Sequence, residues 1–95
     1  MPLTRRKDDF LEEDGVRFSM ADETGDTVSC RVAHEALRDL GERMRMSGSD
    51  GIIFSKYREL IEQVASDVFA AEGPFDSKGR VLVTSEALGR VMRSA

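Results

Sequence analysis

The sequence predicts an α+β domain: a three-stranded, mainly antiparallel sheet in the order β-β-α-α-β-α, with helices packed on one face. Three observations predict it. Apolar residues alternate with polar ones from Val16 to Met20 and again from Val28 to Val32, the period of half-buried strands. Between Ile52 and Ala71 the apolar residues Ile53, Phe54, Tyr57, Leu60, Ile61, Val64, Ala65 and Val68 recur at spacings of three and four, the period of an amphipathic helix. A short β-branched run from Arg80 to Thr84 supplies the third strand.

The totals leave room for one small core. The chain has 95 residues, 40% of them hydrophobic and 34% charged, which is the composition of a single globular domain. Its net charge of −4 is uneven: Asp8 to Asp26 holds eight acids against Arg17 alone, whereas the acids and bases after Asp26 balance. An acidic chain has no general attraction to nucleic acid, so any such binding must come from a local patch. Cys30 is the lone cysteine and cannot form an internal disulfide. Together with the lack of an apolar run behind Arg5, Arg6 and Lys7, this predicts a cytoplasmic protein without a signal peptide or membrane anchor.

In chain order, residues 1–14 show neither helical nor strand periodicity and are expected to form a mobile tail, with Phe10 and Leu11 as the pair most apt to dock. Residues 15–95 then form the single α+β domain. Gly15 opens the structured part. Val16, Phe18 and Met20 share one face of the first strand, with Arg17 and Ser19 on the other; Val28, Cys30 and Val32 share one face of the second, opposite Ser29 and Arg31. The acidic stretch from Ala21 to Asp26, with Gly25, reads as the hairpin loop between them.

A first helix begins near Ala33 or His34 and turns Leu37, Leu40 and Met44 inward. It is the weaker helix, because Gly41 costs about 1 kcal/mol relative to Ala and Ala33 has no side-chain oxygen to cap it. Ser49 or Asp50 can cap the central helix, which stops at Gly73-Pro74. Asp76 to Gly79 is turn chemistry, and Thr84 or Ser85 caps a last short helix that buries Leu88, Val91 and Met92. The parallel between Val32-Ala33-His34-Glu35-Ala36-Leu37 and Val83-Thr84-Ser85-Glu86-Ala87-Leu88 is open to a duplication, but is read first as shared chemistry where a strand hands over to a helix.

Val16-Arg17-Phe18, Val28-Ser29-Cys30-Arg31-Val32 with Glu35-Ala36-Leu37, and Phe54 with Tyr57-Arg58-Glu59-Leu60-Ile61 and Ala65 resemble a family of small bacterial proteins. It is catalogued as a domain of unknown function, number fourteen-eighty-eight. The resemblance runs from Gly15 to Leu88 and implies an α+β fold, with no established activity, cofactor or catalytic residue. Ala33 departs from the small hydroxyl residue expected at its helix entrance.

No pattern in the sequence specifies a catalytic centre. Cys30 lies in the inward phase of its strand, as a buried hydrophobe does. His34 has no recognisable orienting partner, and Asp76-Ser77-Lys78-Gly79 fails as a calcium loop, since the expected first ligand position falls on Pro74 and the twelfth on Ser85. Glu12-Glu13-Asp14 reads as a solvated charge run. No enzyme, cofactor or metal is therefore expected. The expected function is a protein-interaction or regulatory module, with Arg58 and Phe69 at the rim of the central stripe as candidate partner-binding residues. Arg58 can also lay its stem on the core edge and reach a carboxylate. The alternative is weak nucleic-acid binding through Arg5, Arg6 and Lys7 with Arg38, Arg43 and Arg45. A monomer is the default, with weak self-association open.

Overall fold

The computed structural model describes residues 3–6 and 9–94. Along them run β1 (Thr4–Arg5), β2 (Leu11–Glu12), β3 (Val16–Ala21), β4 (Thr27–Val32), α1 (His34–Arg43), α2 (Asp50–Lys56), α3 (Arg58–Ala70), β5 (Val81–Val83) and α4 (Ser85–Ser94). The α+β class and the hairpin agree with the periodicity. β3 and β4 pair antiparallel from Val16↔Val32 to Ala21↔Thr27. Asp22 closes their turn: its Oδ1 accepts the N–H groups of Thr24 and Asp26 and the Thr24 hydroxyl. Val16, Phe18, Met20, Cys30 and Val32 are buried on the helix-covered side.

The sheet differs from the expected one in two ways. It is mixed, because β5 lies parallel to β4, with Cys30 beside Val81 and Val32 beside Val83. The three helices between these strands form a long crossover, and a crossover of that kind returns the chain in the same direction. It also has five strands where the sequence predicts three. β1 pairs with β3 at Thr4↔Ala21 and Arg5↔Met20, and β2 pairs with β3 at Leu11↔Arg17 and Glu12↔Val16.

Those two strands fall within residues 1–14, which the sequence sets apart as a mobile tail. The described part of this segment instead belongs to the fold. Leu3 is buried, and its N–H donates to Ser66 Oγ at 2.9 Å. Two-residue strands leave no periodicity to detect, and the contacts that anchor the β1 segment on α3, Leu3 to Ser66 and Arg5 to Glu62, lie some sixty residues away in sequence. Met1, Pro2, Lys7 and Asp8 lie outside the described residues.

The amphipathic stretch is two helices rather than one. Tyr57 leaves the helical region at φ −113° and ψ 26°, which separates α2 from α3. The break lets α2 pack toward β2 and β3 while α3 crosses β5 and meets α4. Ser49 caps α2 by accepting the Ile52 N–H, and Thr84 caps α4 by accepting the Ala87 N–H at 3.1 Å. Phe54, Ile61, Val64 and Ala65 are buried as the stripe predicts, but Leu60 is only half-buried. Met44 lies just past the end of α1 and is exposed, contrary to its expected place on the inner face. Leu88 is buried and Val91 half-buried; the Met92 side chain is outside those described.

Gly41 has a packing reason inside α1. A Cβ there would stand 2.8 Å from Ile53 Cδ1 and 3.1 Å from the Met46 carbonyl, so glycine is what lets α2 approach α1 closely.

Candidate partner-binding face

Arg58 and Phe69, the expected partner contacts, do not form one patch. They lie eleven residues apart on α3, about 16 Å along the axis at the helical rise of 1.5 Å per residue. Arg58 is only 8% exposed. Its Nε donates to Glu62 Oε2 at 3.1 Å, and its guanidinium carbon lies 5.2 Å from the Phe54 ring centre and 5.8 Å from that of Phe10. Phe69 is half-buried and packs against the core.

Glu62 is the centre of this cluster, although its place on the helical wheel suggests the solvent face. Arg5 grips it with two bonds, Nε to Oε2 at 2.8 Å and Nη2 to Oε1 at 3.0 Å. Burial works to raise the Glu62 carboxyl, but the hydrogen bonds from Arg5 and Arg58 outweigh it and hold the group below the usual carboxylate range. Arg58, Glu62 and Ser66 recur at a spacing of four, one stripe of α3, and together they fasten the N-terminal strands. This is scaffold chemistry.

The other titratable candidates are likewise occupied. Burial pushes the Cys30 thiol up to about 12, and the Glu62 charge adds to the shift, so the nucleophilic thiolate is suppressed near neutral pH. His34, for which the sequence shows no orienting partner, places Nδ1 2.6 Å from Asp50 Oδ2. In the loop from Asp76 to Gly79, Asp76 Oδ1 accepts the N–H groups of Lys78 and Arg80, and its Oδ2 accepts from Arg80 Nε at 2.6 Å. The loop thereby positions Arg80. Among the described residues no group of three or more His, Cys, Asp or Glu could hold a metal ion, and no helix is long and apolar enough to cross a membrane.

The helices leave the other side of the sheet uncovered. Register places Leu11 beside Arg17, Arg17 beside Arg31, and Arg31 beside Leu82, so one rung runs apolar, basic, basic, apolar across four strands. Arg17 and Arg31 sit directly opposite each other, an arrangement that disfavours folding unless anions compensate. Loop acids supply some compensation. Arg17 Nη2 donates to Glu13 Oε2 at 2.9 Å, and Arg31 Nη2 donates to Asp14 Oδ2 at 3.0 Å. Arg17 Nε is buried and makes no hydrogen bond.

Two open depressions flank this rung. One, of about 470 Å³, brings Arg17, Arg31, Lys78 and Arg80 to the same wall as Glu13 and Asp14. The other, of about 420 Å³, contains the short side chains of Ser19 and Ser29, with Leu11, Arg17 and Arg80 beside them. The strand alternation signals Arg17, Ser19, Ser29 and Arg31 as outward residues. That the two arginines meet depends on the hairpin register, which periodicity alone leaves undetermined.

No family model matches the chain, and no curated protein matches it. Among solved structures, the chain is similar to a crystal structure of a protein of unknown function from the DUF1488 family of Shewanella loihica PV-4. The TM-score is 0.66 at 16% sequence identity, covering 85% of this chain and 90% of that one. At that identity the likeness shows a shared fold. It agrees with the family resemblance carried by the strand and helix motifs.

Proposed function

We propose, from a DUF1488-like α+β domain as premise, that this protein is an interaction module that acts by binding another protein through the uncovered face of its sheet. One observation carries the reading: the Leu11–Arg17–Arg31–Leu82 rung lies on the side of the sheet that the helices leave open. Arginines flanked by apolar residues are characteristic of interface centres. The two arginines also oppose each other electrostatically in the free protein, a cost to folding that a partner's negative groups would offset. A cytoplasmic setting, expected from the lone cysteine, goes with this reading, as does action without catalysis.

Nucleic-acid binding draws less support. Arg5 is engaged with Glu62, Arg6 Nη1 donates to the Gly25 carbonyl, and Arg38 lies 3.8 Å from Glu42. Lys7 is outside the described residues. Isotope-labelled protein in a concentrated extract of the cells that make it tests the proposal. Amide signals of Arg17, Ser29, Arg31 and Leu82 should broaden while those of Glu59 and Gln63 on α3 stay sharp. Broadening confined to α3 would count against it.

A further inference from the structure

Resting on that reading, we infer that the open face takes an extended acidic peptide segment of its partner, and that Glu13 and Asp14 occupy the arginines as built-in carboxylate ligands until that segment displaces them. The face already demonstrates the chemistry it selects. Arg17 and Arg31 each hold a carboxylate, from Glu13 at 2.9 Å and from Asp14 at 3.0 Å. Both acids are largely in water, with side chains 68% and 82% exposed, so their ion pairs are of the weak, exchangeable surface kind.

The backbone beneath them is fixed. Asp14 and Gly15 turn through positive φ angles of 50° and 100°, and a Cβ on Gly15 would come within 2.1 Å of the Val32 carbonyl. Freeing Arg17 therefore requires rotation of the Glu13 side chain and no refolding of the turn, whereas Arg31 exchanges only the Asp14 carboxylate and stays bonded to the Asp14 carbonyl through Nε at 3.1 Å and Nη2 at 2.8 Å. With the Glu13 and Asp14 carboxylates swung away, Asp76 is, among the described residues, the one acidic side chain left in the larger depression with Arg17, Arg31, Lys78 and Arg80; it is already bonded to Arg80, and Arg31 stays anchored on the Asp14 carbonyl.

The rung also has the dimensions of a peptide site. Three strand spacings separate Leu11 from Leu82, about 14 Å, which is the length of about four extended residues. Its apolar ends suit apolar side chains flanking the acids. A nucleic-acid strand fits less well, because stacking needs free aromatic faces. Phe18 is buried, and Phe10, 36% exposed at the smaller depression, packs on Phe54 with ring centres 4.8 Å apart; Phe75, 46% exposed, precedes Asp76, so the exposed rings stand singly rather than as a stacking row. A continuous phosphate chain would also run against Glu13, Asp14 and Asp76, whereas a peptide can exchange carboxylate for carboxylate.

The test is a fluorescence-anisotropy titration of the full chain with a labelled peptide of sequence Glu-Leu-Glu-Glu-Leu-Glu, alongside a mixed-sequence RNA oligonucleotide. The paired substitution Glu13→Gln with Asp14→Asn should tighten peptide binding by about tenfold, equivalent to about 1.4 kcal/mol. Adding Arg17→Gln should abolish that gain. Denaturation midpoints of all variants verify that each is folded. Equal, Arg17-dependent affinities with and without the two acids would overturn their role as resident ligands while leaving the open-face reading intact. Absence of peptide binding in every folded variant, or preference for RNA, would overturn the acidic-peptide inference. The extract experiment on the unmodified protein judges the broader interaction reading separately.

Discussion

His34 Nδ1 lies 2.6 Å from Asp50 Oδ2, so the first residues of α1 and α2 are tied side chain to side chain. The Asp50 hydrogen bond, reinforced by its charge, raises the His34 pKa above the ordinary value of 6.5. The stabilisation is therefore fully present below the unfolded-state pKa and is lost as pH rises through the higher folded-state value. Urea midpoints measured between about pH 6 and pH 8 should fall with rising pH more steeply in the native protein than in Asp50→Asn. Parallel curves would contradict the link.

Glu62 joins Arg5 of β1 to Arg58 of α3, and its loss should loosen the N-terminal strands before the rest of the fold. Glu62→Ala should cost about 1–3 kcal/mol, the range for hydrogen bonds to charged groups, with the half-exposed Arg5 side contributing least. Amide exchange at Thr4 and Arg5 should accelerate more than exchange at Val32 or Ile61. Uniform acceleration would show that the cluster supports the core as a whole.

The two halves of the helical stripe should respond unequally. Ile61 is fully buried, so Ile61→Ala should destabilise by about 2–5 kcal/mol. Half-buried Leu60 should cost less on truncation to Ala, and exposed Glu59→Ala should remain within about 0.5 kcal/mol. Denaturation midpoints rank the three. A Leu60 cost equal to that of Ile61 would contradict the helix orientation.

Much of the domain was legible because its repeating elements bury one side. Val16, Phe18, Cys30, Val32 and Ile61 take their inward positions from period alone. The parallel placement of β5 was less accessible, since it depends on the path of the whole helical crossover. Leu3 carries no such mark, because it is fixed by a distant partner, Ser66, and no local repeat includes it; Phe10 stood out only as half of an apolar pair in a charged segment, and its partner, Phe54, lies far along the chain. The site followed the same division. Arg58 showed its reach toward a carboxylate, but its separation from Phe69 removed the expected patch. Arg17 and Arg31 showed their outward phase, whereas their meeting required the register.

Crosslinking in living cells tests the open sheet face most directly. A photoreactive lysine analogue at Lys78 would report from the arginine-lined depression, and the same analogue at exposed Lys56 on α2 would report from elsewhere on the molecule. A discrete protein adduct from position 78 that is absent from position 56 and weakened by Arg17→Gln is the predicted result. Adducts from position 56 alone, or adducts from position 78 unchanged by Arg17→Gln, would contradict the account.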